Sequence, residues 1–490
     1  MNAVAHPDRR ADVLAALASV RPALAVVAEP ERLAAFETDA YIQHRATPLA
    51  VALPDSEDQV RQIARALERL GVALVSRGAG TGLSGGAIPD PDGVLLVCTR
   101  MRRVLAVDAI ARLATVEPGV ANARVTEAAA PAGLYFAPDP SSQVVSSIGG
   151  NIAENAGGVH CLKYGLTVHN VVGLRVIDGE GDLLELGGEA LDSPGYDLLA
   201  VLCGSEGNLG VITGATLRLL PRPEATETML AAFGTVKAGA EAVGAIIGAG
   251  VIPAAIEMMD RVVIDACERY MALGLPKAEA LLLVEVDGGA EETAETLAKV
   301  RGILASCGAT EVRVAKNDEE RANLWKSRKG AFAALATVMP DYYTMDGTIP
   351  RRALPEVLES IYALGREYGM VIGNVFHAGD GNMHPCIFYD SAKAGELERS
   401  EELGGRILEL CIDHGGTITG EHGVGLEKLK AMCLQFREGE IAAFHDVKRA
   451  FDPAGILNPG KAVPTLKRCA EWGGLHVRGG RIPRPDIPRF

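Results

Sequence analysis

The run Arg77-Gly-Ala-Gly-Thr-Gly-Leu-Ser-Gly-Gly86 decides how the first half of this chain folds. It follows an apolar stretch, Val72–Ser76, and holds a formal G-x-G-x-x-G at Gly80, Gly82 and Gly85, the spacing of a dinucleotide-binding turn. Such a turn must open a helix whose N-terminus receives the pyrophosphate. The next residues of this chain, Gly86-Ala-Ile-Pro-Asp-Pro-Asp-Gly93, read as a turn instead. A nicotinamide-binding Rossmann fold is therefore rejected. Phosphate binding survives in another form, because consecutive small residues let backbone N–H groups converge on an anion as a nest. Each such bond to a charged oxygen is worth roughly 1.5–3 kcal/mol.

Two further loops have the same texture: Ala137-Pro-Asp-Pro-Ser-Ser-Gln143 running on to Ser146-Ser-Ile-Gly-Gly-Asn-Ile-Ala-Glu-Asn-Ala-Gly-Gly158, and Cys203-Gly-Ser-Glu-Gly-Asn-Leu-Gly-Val-Ile-Thr213. One loop of this kind is an ordinary tight turn. Three between residues 77 and 213, each rich in Gly and small side chains and the later two also in Ser and Asn, point to one extended ligand. Around them the pattern is α+β. Pro54 and Ser56 open a helix with Val60, Ile63, Ala64 and Leu67 on one face and Gly71 at its end, and short strands such as Val94–Cys98 and Leu113–Val116 come after it.

Leu219-Leu220-Pro221-Arg222-Pro223 is a proline-punctuated joint, beyond which alanine-rich helices alternate with strands such as Ala280–Val286. Three segments are expected: 1–222, with a helical lead-in to about residue 40; 223–420; and 421–490, which contains a helix ending at Phe451 and then an irregular stretch, Asp452–Lys461. With 490 residues, 48% hydrophobic, the chain exceeds what one core usually serves. A net charge of −15 argues against nucleic acid and anionic membrane surfaces as partners. The N-terminus lacks the apolar run of a signal peptide, and the longest uncharged stretch, Ala242–Ile256, is too short to span a bilayer. The nine cysteines include no C-x-x-C pair and read as reduced cytosolic thiols, mostly core fillers.

Chemistry concentrates after residue 320. His377 and His384 bracket Ala-Gly-Asp-Gly-Asn-Met, and Glu421-His422 lies inside Thr-Ile-Thr-Gly-Glu-His-Gly-Val-Gly. Two imidazoles and a carboxylate are a divalent-metal ligand set suited to Zn²⁺, Mn²⁺ or Fe²⁺, with one histidine left over to act as a base. Asp380 either holds the second nitrogen of a ligand histidine or closes an Asx turn. In Leu324-Trp-Lys-Ser-Arg-Lys-Gly-Ala-Phe-Ala-Ala-Leu335, Arg328 falls among Leu324, Ala331, Phe332 and Leu335 on the wheel. A guanidinium on an apolar stripe needs an anion, supplied by a substrate carboxylate or by an internal acid.

From about residue 40 onward these motifs resemble the FAD-linked 2-hydroxy-acid dehydrogenases, a family that includes the glycolate oxidase flavoprotein subunit and D-lactate and D-2-hydroxyglutarate dehydrogenases, within the vanillyl-alcohol oxidase and p-cresol methylhydroxylase type of flavoprotein. Especially similar are Gly157–Asn170, Asp341–Arg351 and Asn374–Pro385. The resemblance implies a two-subdomain FAD-binding domain, an α+β cap (substrate) domain and a C-terminal segment returning to the flavin. It implies non-covalent FAD held by Arg77, Gly78, Ala79, Gly80, Thr81 and Gly82 at the pyrophosphate. Pro140, Ser146, Gly149, Gly150, Asn151, Asn155 and Gly158 would run along the ribityl chain and ring, completed by Glu206, Gly207, Ile212 and Asn458. His377, His384 and Glu421 would bind the metal, His422 would take the hydroxyl proton and Arg328 the carboxylate.

His160 is weighed as a flavin attachment point, with Cys161 and Tyr164 packing round the isoalloxazine. Dicarboxylate-using relatives carry a lysine where this chain has Thr344-Met345-Asp346, so the expected substrate is a small monocarboxylate such as glycolate or D-lactate. Lacking a cluster, haem or nicotinamide motif, the chain would pass its electrons to oxygen or to another protein; the resemblance implies an iron–sulfur subunit and a second flavoprotein-like subunit as the takers. Its expected place is the cytoplasm, peripheral at the inner membrane through those partners.

Overall fold

The computed structural model describes residues 7–190, 194–465 and 468–469. The chain forms two compact units: 1–156, 166–221 and 422–490 make the first, and 157–165 with 222–421 make the second. The nine residues Gly157–Gly165, assigned to the first domain from sequence, pack with the second unit instead.

The first unit begins with helix α1 (Pro7–Ala18), strands β1 (Ala25–Val27) and β2 (Ala50–Leu53), helix α2 (Glu57–Leu70), and strands β3 (Leu74–Arg77) and β4 (Val94–Val97). The strands form a sheet ordered β1-β2-β4-β3, parallel except for β1. Alternation sorts its two faces. Ala50, Ala52, Leu74, Val94 and Leu96 pack with Val13 and Leu17 of α1 and with Val60, Ile63, Ala64 and Leu67 of α2, whereas Val51, Val75, Leu95 and Val97 face Val27 and Leu33. Helix α2 ends as expected at Gly71, whose φ of +59 admits the left-handed cap.

A second, antiparallel sheet runs β5-β6-β9-β7-β8, from β5 (Val104–Asp108), β6 (Leu113–Val116), β7 (Val171–Ile177), β8 (Leu183–Gly187) and β9 (Val211–Arg218). Helix α3 (Ile148–Glu154) buries Ile148 and Ile152 against its apolar face.

The second unit is one seven-stranded antiparallel sheet ordered β13-β10-β12-β11-β15-β16-β14. The strands are β10 (Ala225–Phe233), β11 (Ala255–Asp260), β12 (Ala280–Gly288), β13 (Ala309–Val314), β14 (Asp341–Thr344), β15 (Ile372–Phe376) and β16 (Pro385–Tyr389). Helices α4 (Val236–Gly248), α5 (Arg261–Met271) and α6 (Ala290–Ser306) alternate with the first of them, followed by α7 (Asp318–Lys329), α8 (Ala331–Leu335), α9 (Leu354–Tyr368) and α10 (Glu396–Asp413). Ala255, Met259, Leu281, Leu283 and Val375 meet Ile264, Trp325, Ala331 and Leu335 in one core. The helical wheel over 324–335 is broken at Gly330, where α7 gives way to α8.

Back in the first unit, α11 (Leu429–Gln435) and α12 (Glu438–Phe451) lead to an irregular return in which Leu457 bridges Leu74 of β3. Cys433 and Cys469, expected as thiols, are joined as a disulfide with their Cα atoms 5.5 Å apart. The return passes back over α11, a proximity that a 36-residue spacing without a motif does not reveal. No helix among the described residues is long and apolar enough to cross a membrane.

Candidate active site

In the second unit, β15 delivers His377 and β16 begins just after His384, so two adjacent strands aim both rings from a single short turn. Gly381 closes that turn with φ +77, and a Cβ there would lie 2.2 Å from the carbonyl of Ile349. Only glycine fits. The third side chain arrives on the 417–421 loop, tied to Thr348 by backbone bonds from Thr417. Buried Asp346 fixes its end by accepting from Thr419 Oγ1 (2.6 Å) and from the N–H groups of Gly420 (3.0 Å) and Glu421 (3.2 Å).

Glu421 Oε1 then lies 3.1 Å from His377 Nε2 and 3.4 Å from His384 Nε2. One ligand atom from each of the three lies within 4.8 Å of the others. His377 Nδ1 meets Glu257 Oε1 at 2.7 Å, which leaves Nε2 directed at Glu421. From the sequence, Asp380 is expected either in that role or closing an Asx turn. The structure gives it to Glu257, because Asp380 lies in the turn with its backbone N–H on the His377 carbonyl.

Burial alone would pull the His377 imidazole down, but Glu257 and Glu421 outweigh it and raise it to about 10. Burial pushes Asp380 up to about 7 against the pull of His377. Two carboxylates on one imidazole call for positive charge at this point, and two nitrogens with a carboxylate oxygen fit a divalent cation.

Arg328 is 1% exposed and its Nε lies 2.5 Å from Glu257 Oε2, so its anion is an internal acid. Its Nη2 is buried and has no hydrogen-bond partner among the described residues. Lys326 and Lys329 are exposed, as the wheel implied. The segment 157–165 is latched to β12: His160 Nε2 lies 3.1 Å from Glu285 Oε1, and the hydroxyl of Tyr164 donates to Asp287 at 2.7 Å. His160 is therefore engaged by a carboxylate, and Gly158 belongs to this unit.

The first unit carries the glycine-rich cradle. A Cβ on Gly78 would fall 2.0 Å from Ser147 Oγ, so the loop after β3 presses against the start of α3, and Gly80 has φ +73. Residues 77–82 remain partly exposed around it. Ser146 Oγ and Asn151 Nδ2 are buried with no partner among the described residues, which fits a polar ligand lying there. The third loop closes on β3, where a Cβ at Gly207 would lie 2.5 Å from Ser76 Oγ.

Other expected contacts are engaged internally. Asn155 Oδ1 accepts from Val168 N–H, the Gly149 N–H donates to the Pro118 carbonyl, and the Pro140 carbonyl closes a turn with Gln143. Ile212 is a core residue of the five-stranded sheet, as the period of β9 dictates. Glu206 turns its carboxylate to the N–H groups of Val424 (2.7 Å) and Gly425 (2.6 Å), and so holds the chain just after His422. Asn458 Nδ2 donates to the carbonyls of Gly86 and Glu206. His422 itself is partly buried at the start of this returning segment.

Sequence reasoning missed Glu257 and the structural part of Asp346. A lone acid in the apolar strand Ala-Ile-Glu-Met-Met-Asp was the available signal for the first.

A model of the FAD binding domain matches residues 48–187, and one of the C-terminal domain of FAD linked oxidases matches 222–462. The chain is 52% identical to the glycolate oxidase subunit GlcD of Escherichia coli (strain K12), over 99% of this chain and 98% of the relative. It is 33% identical to a D-lactate dehydrogenase of Archaeoglobus fulgidus, over 88% and 95%. The crystal structure of p-cresol methylhydroxylase superposes with a TM-score of 0.78 at 15% identity, covering 94% of this chain and 97% of that one, and shares its fold. The chain belongs to the FAD-linked oxidase family, in the branch of the GlcD and D-lactate dehydrogenase relatives.

Proposed function

We propose that the protein oxidises a small 2-hydroxy monocarboxylate, glycolate or D-lactate, to the 2-oxo acid. The observation that carries this is the convergence of His377, His384 and Glu421, with Glu257 holding the His377 tautomer that ligation needs. The glycolate oxidase subunit and the D-lactate dehydrogenase among its relatives supply the substrate class.

When bound, FAD supplies the hydride acceptor and a divalent cation supplies Lewis acidity toward the substrate hydroxyl, much as zinc moves the pKa of bound water from about 15.7 to about 7. The substrate loses a hydride from its α-carbon and a proton from its hydroxyl, and His422 takes the proton. Arg328 binds the carboxylate through its Nη2 edge, the edge without an internal partner. Thr344-Met345-Asp346 offers no cation for a second carboxylate, since none of the three side chains is basic. His377, His384 and Glu421 hold the cation, as Zn²⁺, Mn²⁺ or Fe²⁺.

Electrons then pass to an iron–sulfur subunit and a second flavoprotein-like subunit, with the protein in the cytoplasm and peripheral at the inner membrane through them. A relative named as a subunit supports this arrangement. The test is anaerobic flavin bleaching with glycolate, each lactate enantiomer and D-2-hydroxyglutarate, before and after chelation. Bleaching by glycolate or D-lactate that chelation abolishes and added metal restores is expected. Bleaching indifferent to chelation, or driven best by the dicarboxylate, would overturn the reading.

A further inference from the structure

Glu257 is 1% exposed on β11, in the core face shared with Ala255 and Met259, and each of its carboxylate oxygens meets one donor. Oε1 lies 2.7 Å from His377 Nδ1 and Oε2 lies 2.5 Å from Arg328 Nε. At the two ends of this line stand His377 Nε2, 3.1 Å from Glu421, and Arg328 Nη2, buried without a partner among the described residues. A single acid thus joins a candidate ligand to a candidate anchor.

We infer that Glu257 is a positioning residue that couples cation binding to carboxylate binding: one side chain orients the ligating nitrogen of His377 and the anion-binding edge of Arg328 together. The inference rests on the reading proposed above and assigns it a linkage. A neutral imidazole has one N–H, and a carboxylate opposite Nδ1 keeps that proton there, so the Nε2 lone pair is available to a metal. The same carboxylate engages the guanidinium at Nε, fixing its plane while leaving Nη2 unengaged within the protein. Both neighbours are donors, so both require acceptors, and a carboxylate is the side chain that offers two.

The substitution Glu257→Gln keeps the size and removes one acceptor. If the amide oxygen faces Arg328, its NH₂ faces Nδ1 and favours the tautomer that protonates Nε2. If the oxygen faces His377, the NH₂ opposes Arg328 Nε. Either way one function is lost and the other disturbed.

The experiment measures zinc affinity by chelator competition on full-length, flavin-loaded protein, with the flavin-reduction rate against substrate concentration on the same samples. E257Q should bind zinc about 10–100-fold more weakly and also need more substrate for half-maximal reduction. Arg328→Met, which touches no candidate ligand, should tighten zinc several-fold by leaving Glu257 to His377 alone. This second variant carries the test if E257Q fails to fold. Wild-type zinc affinity in a folded E257Q, or in R328M, overturns the coupling. A wild-type chain that takes up no divalent metal overturns the cation reading itself, and the coupling with it.

Discussion

Asp346 accepts the backbone N–H of Glu421 at 3.2 Å, across 75 positions of sequence, and in doing so aims a carboxylate at two imidazoles. It also holds the N–H of Gly420 and the hydroxyl of Thr419, and is itself 0% exposed. Removing it leaves three donors without their acceptor. Asp346→Ala should cost about 3 kcal/mol of stability and weaken metal uptake, read by denaturant titration and by metal analysis of the purified protein. Full metal content at wild-type stability would contradict this role.

The histidine turn makes a second, graded prediction. Gly381→Ala forces a Cβ to within 2.2 Å of the Ile349 carbonyl at φ +77, whereas Gly395 has a similar φ of +80 with nothing within 4 Å. Gly395→Ala should cost about 1 kcal/mol, the strain alone. Gly381→Ala should cost more than that and lower zinc affinity, because the backbone between the ligands must shift. Equal losses of thermal stability in the two variants would show that the close approach does not matter.

Lys461 gives the pH prediction. Its ammonium donates to the carbonyls of Gly86 and Ile88, and burial, partly offset by Asp39 and Asp90, depresses it to about 8. An unfolded lysine titrates near 10.4. Below about 8 both states keep the proton and the group's contribution is at its least favourable. From about 8 to about 10.4 the unfolded chain holds the extra proton, so this group makes stability rise with pH, by at most about 1.4 kcal/mol per unit. Lys461→Met should lose that rise in a denaturant midpoint measured across this window. An unaltered slope would refute the assignment.

Thiol counting checks the cysteines. Burial pushes Cys98, Cys203 and Cys386 up to about 12 and Cys267 to about 11, and Cys411 is buried as well. Only Cys161 and Cys307 are partly exposed among the seven cysteines outside the disulfide. An aromatic disulfide reagent should titrate two groups in the native protein, seven after unfolding and nine after unfolding with reduction. Nine without reduction would deny the Cys433–Cys469 bond.

What could be read from the sequence was local. The cap at Gly71, the strand Leu113–Val116, the helix ending at Phe451 and the histidine turn rest on short-range periodicity and turn chemistry, and each stands where its residues implied. What escaped was pairing across distance. Glu257 reaches His377 over 120 positions, and Glu206 reaches Val424 over 218, so nothing near either acid shows its partner. Asp380 is the acid nearest to His377 in sequence, yet its backbone is committed to the turn. Gly157–Gly165 escaped for a related reason: the lysine, tyrosine and histidine that tie it down find their carboxylates on β12.

The polypeptide passes from one unit to the other at 156/157, 165/166, 221/222 and 421/422, and the first unit takes its last strand-like contact from Leu457. A ribosome must therefore have made nearly the whole chain before that unit holds all its own parts. Neither unit corresponds to a continuous stretch that could be cut out and produced by itself. Insertion or circular permutation within this architecture would have to respect those four passages, which bind the fate of each half to the synthesis of the other.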